Sequence, residues 1–343
     1  MTSRLRAGLV GCGFYAANHL NAWSDLREEV DLVAVCDRDP AKVRAAAETF
    51  SVPATYTDAE EMLARENLDF VDIVTTMPSH KPLVLLAARH GVAAIVQKPF
   101  APTYADCVEM VAAMQAAGRP LMVHENFRFQ SAMLEIRRLV AEGAIGPLTW
   151  GRVSWRTGYD IYAGQPYLKD ETRFILLDIG VHVVDLARSL MGDIAHVACE
   201  TRSIKPGIAG EDMATMLVGY TSGAVGVIDC SYATKRQPDS FPEALVDLEG
   251  RDGALSLCHG LTLRLTSHGN TTVRSLKTPL LPWTSPEWHV SQESVLHTQR
   301  HWVECLKSGA TPQTSGAESL KTYAVIEAAY QSAASHTTVV PVV

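Results

Sequence analysis

Residues 5–16, Leu5-Arg6-Ala7-Gly8-Leu9-Val10-Gly11-Cys12-Gly13-Phe14-Tyr15-Ala16, decide how the chain begins to fold. An apolar run ends on Gly11, Gly13 follows after one residue, and Ala16 opens a stretch with apolar residues at helical spacing. Strand, glycine turn and helix in that order make a dinucleotide-binding fingerprint. The first glycine permits a tight turn, the second lets the backbone approach a pyrophosphate, and the small third residue lets helix and strand pack closely. Amides at the helix N-terminus face the phosphates, so Gly11, Gly13, Phe14, Tyr15 and Ala16 are the candidate contacts. The second strand leads to Asp37, 21 positions beyond Ala16. A carboxylate there accepts hydrogen bonds from the adenosine ribose hydroxyls and repels a 2′-phosphate, so NAD is expected rather than NADP. Arg38 beside it is the opposing signal.

Outward from this motif, short apolar, β-branched runs at 5–10, 31–36, 70–75, 93–97 and 121–123 alternate with helical patterns at 16–26, 40–50, 58–66, 79–90 and 103–117. Alternation of this kind marks a parallel sheet covered by helices. From His124 the rhythm changes. A helix at 131–142 leads to strands at 148–157, 196–203, 213–220, 224–232, 244–249, 253–258, 261–266 and 272–276, with a helix at 174–191 near the start and two more at 291–308 and 316–334. The expected fold is an α/β Rossmann domain over 1–123 and an α+β domain with a largely antiparallel open sheet over 124–343. The second domain is read as the substrate-binding and oligomerisation domain. Strand alternation there leaves an apolar-rich face with too few helices to cover it, which predicts a homodimer or homotetramer.

A length of 343 residues suits two domains. The net charge of −8, with Lys and Arg scattered, lacks the basic face that nucleic acid or an anionic membrane would select. The apolar stretches at 83–88 and 92–96 fall far short of the roughly 18 residues a membrane span requires, and no apolar signal region follows residues 1–6. Seven cysteines without paired spacing read as reduced thiols, so a soluble cytoplasmic protein without a metal site is expected.

Gln97, Lys98 and Pro99 close the fifth strand, and an open parallel sheet places its ligands at strand C-terminal ends. Taken alone, Lys98 is either a solvated charge or a cation beside the nicotinamide. Asp178 and His182 stand four apart, on one face of a helix. His182 can exchange a proton near neutral pH while Asp178 orients it or bonds a hydroxyl; an N-cap aspartate with a core histidine fits the same residues. Asp185 is an alternative orienter. His124, Glu125, Asn126 and Arg128 follow the last Rossmann strand and suit either a hydroxyl-rich ligand or an ordinary junction, Asn126 being the preferred substrate contact. Arg156, Tyr159, Asp160 and Gln165 form a loop region over sugar or nicotinamide, with Arg156 assigned to substrate and Gln165 to cofactor. Trp283, Trp288 and His289 read as subunit contact or core ahead of cleft wall.

Gly11 to Ala16, Asp37, the Thr76-Met77-Pro78-Ser79-His80 turn, Lys98 with Pro99, and the block from Asp178 to Asp185 occur in the order found in the Gfo/Idh/MocA family, which the chain resembles over essentially its whole length. The resemblance implies NAD-dependent oxidation of a sugar or polyol hydroxyl by hydride transfer. It assigns Lys98, Asp178 and His182 as the catalytic trio, also touching substrate, and places Thr76, Met77, His80, Gln97 and Lys98 at the cofactor, with His80 packed beneath it. Further similarity at 97–100, 124–129, 164–168, 231–235 and at Trp288 with His289 points to a branched pentose oxidised at its anomeric carbon to a lactone; inositol or another aldose is the alternative substrate. One departure matters. The family commonly has glutamate before the lysine, and Gln97 removes that negative charge. Two other functions fit the fold: a glycosidase that uses NAD as a bound catalyst, and an NAD-sensing binding protein, against which the complete trio speaks.

Overall fold

Strand β1 (Leu5–Val10) lies between β2 (Val30–Cys36) and β4 (Phe70–Ile73), with β3 (Ala54–Tyr56) outside β2, and β5 (Ala93–Gln97) followed by β6 (Leu121–His124) outside β4. Every pair in this six-stranded sheet is parallel. β4 and β5 are buried along their whole length, which is why they read as continuous apolar runs; Asp72 is the exception inside β4. Helices α1 (Ala16–Asp25), α2 (Pro40–Phe50), α3 (Ala59–Arg65), α4 (His80–Arg89) and α5 (Tyr104–Ala116) supply the crossovers. Their starts are written in the sequence. Asp39 accepts from the Ala41 amide ahead of Pro40, Asp58 from Glu61, and Thr103 from Asp106, each satisfying an orphan amide of the first turn. The strand order reverses between β1 and β4, the position where such a sheet binds its ligand.

This computed structural model describes residues 4–343, so the first three residues of the expected Rossmann domain lie outside the described residues. Two units are distinguished: residues up to Asn126 with Ser294–Leu320, and Phe127–Glu293 with Lys321–Val343. The return of a C-terminal segment to the first unit has no local sequence signal. It rests on burial: Trp302 is fully enclosed and stands edge-on to Phe70, with ring centroids 6.0 Å apart.

The second unit contains α6 (Ser131–Ala141), β7 (Leu148–Arg156), α7 (Ile161–Gly164), α8 (Val181–Met191), and strands β8 (Ile194–Arg202), β9 (Met213–Tyr220), β10 (Val225–Ser231), β11 (Leu245–Gly250), β12 (Gly253–Cys258), β13 (Thr262–Ser267) and β14 (Asn270–Ser275). Its eight-stranded sheet runs β14-β13-β12-β11-β7-β10-β9-β8, antiparallel except for β7 beside β10. α8 packs on β7 and β10. Gly151 makes that approach possible, because a Cβ there would collide with the sulfur of Met191 and come within 2.9 Å of Leu248. Two further helices, α9 (His289–Ser308) and α10 (Gly316–Ser335), each have residues assigned to both units.

Three features differ from the sequence expectation. β3, three residues long and only half-buried, is too short to show a period. The helix expected over 174–191 opens with a π-helical turn, Leu176–Gly180, before α8. The sheet face opposite α8 is more polar than strand alternation predicts, since the register aligns Leu217, Val227, Arg152 and Asp247 in one row and Thr215, Asp229, Ser154 and Leu245 in the next. No helix among the described residues is long and apolar enough to cross a membrane.

Replacing Trp302 by alanine empties a fully buried indole site and is expected to cost about 3–5 kcal/mol of stability, read from a urea unfolding curve. A cost near zero would mean that the returning segment contributes little to the first unit.

Candidate active site

The glycine turn is shaped by what surrounds it. Gly11 has φ of +100°, and a Cβ there would overlap the Val74 carbonyl, so only glycine fits. Its amide donates to the Cys36 carbonyl at 2.7 Å. The next amide, that of Cys12, donates to Asp37 Oδ2 at 2.8 Å, while Asp37 Oδ1 accepts from the Asp39 amide at 2.9 Å. The half-buried carboxylate is thereby fixed beside the turn, and Arg38 is exposed. Burial, with the Asp37 charge adding to it, pushes the Cys12 thiol up to about 12, so it stays protonated. A Cβ on Gly13 would meet nothing within 4 Å, and Phe14 is 88% exposed. Open space over a glycine turn, a helix N-terminus at Ala16 and a fixed carboxylate suit a dinucleotide.

At the neighbouring strand ends, Thr76 leads into a single 3-10 turn, Met77–Ser79, and then His80. His80 is fully buried, with Nδ1 2.9 Å from the Pro99 carbonyl and 3.2 Å from that of Phe100, and Nε2 3.0 Å from that of Thr75. It therefore ties the end of β4 to the segment after Lys98. Gln97 holds the other side, its Oε1 accepting from the Lys98 amide at 2.7 Å. Asn126 is buried and donates to Ser294 Oγ at 2.7 Å.

In the second unit Asp178 belongs to the π-helical turn and His182 to the first turn of α8. π-turns inside helices are often found at functional sites. Asp178 is not an N-cap: it lies within the turn, where no side-chain cap bond forms, and its Oδ2 accepts from the Tyr232 hydroxyl at 2.8 Å. Burial and the Asp178 charge raise the Tyr232 pKa well above the ordinary value, keeping the phenol a donor. The His182 ring stacks on Phe127 with centroids 4.1 Å apart and planes 3° from parallel. Glu211 supports the turn from outside, its Oε1 accepting from the Phe174 and Leu176 amides and from Tyr330.

The remaining candidates have partners of their own. Asp185 receives the Arg128 guanidinium on both oxygens at 2.6 Å, so these two form a buried ion pair. Arg156 points to the sheet face opposite α8, where it meets Asp229 at 3.3 Å, because Trp155, its neighbour in β7, packs against Tyr232 on the α8 side. Gln165 accepts from the Tyr167 hydroxyl. His289 is clamped between Thr278 and Thr284, and Trp288 stands edge-on to Phe241, which makes this loop a packed aromatic cluster. Among the described residues no group of His, Cys, Asp or Glu is arranged to hold a metal.

Residues 5–125 match the oxidoreductase family with an NAD-binding Rossmann fold, and residues 133–256 match the GFO/IDH/MocA C-terminal domain. The chain belongs to the Gfo/Idh/MocA oxidoreductase family. As a member it is an NAD-dependent oxidoreductase. It is 48% identical to a D-apiose dehydrogenase of Paraburkholderia graminis, over 98% of this chain and 89% of that protein. A second D-apiose dehydrogenase, from Rhizobium rhizogenes, is 44% identical over 98% and 97%. The crystal structure of an Agrobacterium radiobacter oxidoreductase in complex with NAD+, L-tartaric acid and magnesium is 44% identical and superposes with a TM-score of 0.96, covering 98% of both chains.

Sequence reasoning passed over His19, Asp72, Tyr232 and Glu211. Asp72 carried a signal, an acid inside an otherwise apolar strand; the others carried none.

Burial pulls the His80 pKa below the ordinary histidine value, although the Thr75, Phe100 and Pro99 carbonyls oppose it. Below about pH 6.5 the unfolded chain then binds a proton that the native state takes up less readily, so the stability present above that pH falls toward the folded pKa, by at most about 1.4 kcal/mol per unit. The stability difference between wild type and His80→Gln should shrink as the pH is lowered from about 7 to about 5. A difference that widens would place a charged imidazolium in the native fold.

Proposed function

We propose that this chain oxidises D-apiose at its anomeric carbon to the lactone in the cytoplasm. The reading is carried by near-full-length identity to two D-apiose dehydrogenases. A polyhydroxylated acid bound in the Agrobacterium radiobacter relative supports a small, hydroxyl-rich substrate. The absence of any disulfide among the described cysteines suits a reducing compartment.

NAD, when bound, supplies the hydride acceptor. Gly11, Gly13, Phe14, Tyr15 and Ala16 hold its phosphates in this reading, Asp37 its ribose, and the 76–80 turn with Gln97 its nicotinamide half. As hydride leaves the anomeric carbon, the hydroxyl proton must go to a base within hydrogen-bond reach. His182 takes that role, its ring fixed by Phe127. Lys98 stabilises the developing alkoxide as a fixed positive charge. Asp178, held by Tyr232, accepts from the neighbouring substrate hydroxyl or orients the imidazole. A second copy of the chain covers the open sheet face, where Leu217 is 60% and Val225 48% exposed.

Among pentoses, hexoses and inositols, D-apiose should give the highest kcat/KM with NAD, with free NADH accumulating; a better hexose or inositol would overturn the substrate, and turnover without free NADH the reaction. His182→Ala and Lys98→Ala should each lose roughly 100-fold or more in kcat. The wild-type rate should rise with pH through a pKa absent from His182→Ala, and an unchanged profile would move the base elsewhere. NAD should bind at least about tenfold more tightly than NADP, a gap of about 1.4 kcal/mol; equal affinities would make Arg38 a 2′-phosphate site. Light scattering should give a dimer or tetramer, and a monomer would remove the subunit role of the open face.

A further inference from the structure

Behind Lys98 lies a line of polar side chains sealed from water. Asp72 and His19 are fully buried and Gln97 is 8% exposed. Asp72 Oδ2 is 2.8 Å from His19 Nδ1, and the carboxylate can only accept, so Nδ1 is the donor. His19 Nε2 is 3.0 Å from Gln97 Nε2, and in this Nδ1–H tautomer it accepts the amide proton. Gln97 Oε1 in turn accepts the Lys98 N–H at 2.7 Å. Every bond points the same way, from the Lys98 amide inward to a carboxylate in the central strand β4.

We propose that Asp72, His19 and Gln97 form a positioning relay that fixes the peptide N–H of Lys98 and, through it, the direction in which the lysine side chain leaves the strand. The relay rests on the role given above to Lys98. Position 97 must donate at one end and accept at the other, which an amide does and a carboxylate does not. Glutamate there would set a second acceptor against His19 Nε2 and demand a proton on both ring nitrogens. The inner end is anchored independently, because Trp23 Nε1 also donates to Asp72 Oδ2 at 2.8 Å. His19 and Trp23 both belong to α1, the helix that opens on the glycine turn, so the frame that holds the turn also holds Lys98. A long lysine side chain is loose in proportion to its rotatable bonds, and locking its peptide plane removes the first source of that freedom.

Steady-state kinetics on Gln97→Met, His19→Phe and Lys98→Met, singly and combined, test this, with D-apiose or the panel sugar turned over fastest as substrate. Gln97→Met keeps the length of the side chain and removes both bonding atoms. It should lower kcat about tenfold or more. His19→Phe should cost the same, and the double variant Gln97→Met/His19→Phe no more than either, since members of one relay are not additive. In a Lys98→Met background Gln97→Met should have no further effect on kcat. A wild-type kcat in Gln97→Met, multiplying costs in the double variant, or an equal loss in the Lys98→Met background would overturn the relay. Should His19→Phe not fold, the Gln97 and Lys98 pair decides alone. A wild-type kcat in Lys98→Met is a different result: it sinks the assignment of Lys98 itself, and the relay with it.

Discussion

The Val74 carbonyl leaves no room for a side chain at position 11, and the cofactor end of the chain is arranged around that exclusion. The Val74 amide donates to the Val10 carbonyl at 2.7 Å, so β1 and β4 stay paired up to the point where β1 must turn away. Turning there takes a positive φ, which glycine supplies at no steric cost. Once the chain has turned, the Gly11 and Cys12 amides face the end of β2 and are taken up by the Cys36 carbonyl and the Asp37 carboxylate. Because all six strands run parallel, Asp37, Thr76 and Lys98 follow the same ends of their strands. One steric exclusion thus sets the entry to α1 and, by strand order, the edge along which the other candidate residues occur.

How much of this could be read in the sequence depended on whether the physical cause was local. The parallel sheet is legible because β4 and β5 are buried on both faces and are apolar apart from Asp72 and the terminal Gln97, and because Asp39, Asp58 and Thr103 announce helices α2, α3 and α5. The glycine turn was legible for the same reason. What escaped had distant causes. The π-turn at Asp178 is held by Glu211, 37 residues from Phe174, and a spacing of four read on an ideal α-helix cannot register the extra residue in the turn. The buried Trp302 gives no sign in its own helix that its partner is Phe70. In the sequence Gln97 reads as a missing charge, whereas its use of both ends of the amide shows only with His19 beside it.

The open face of the second sheet shows the limit of alternation as a guide. β10 reads Val225-Gly226-Val227-Ile228-Asp229-Cys230-Ser231, and counting apolar letters makes both faces look greasy. Yet Asp229, 2% exposed, gathers Arg152, Ser154 and Arg156 on one face, while Ile228 and Cys230 turn toward α8. The face left over is a charged lattice flanked by Leu217 and Val225. Such a surface can be wetted, which a uniformly apolar face could not be without aggregating.

Asp72, Asp185, Asp229 and Glu211 share a physical logic. Each carboxylate is buried, and each draws donors from segments remote in sequence: His19 at 53 residues from Asp72, Arg128 at 57 from Asp185, Arg152 at 77 from Asp229, and Tyr330 at 119 from Glu211. A buried ion with its donors adds little net stability over a well-packed apolar group of the same shape, but losing one donor strands a charge away from water at a cost of about 3–5 kcal/mol. The asymmetry turns each carboxylate into a constraint on which segments may be neighbours. Apolar contacts tolerate small slides and rotations, whereas a carboxylate that must keep its donors at hydrogen-bond distance does not. Under the proposed roles, the carboxylates behind Lys98, in the helix of His182 and beside the turn of Asp178 fix the backbone from which those side chains leave, and aligning a hydride donor, a base and a cation depends on direction more than on one further increment of stability.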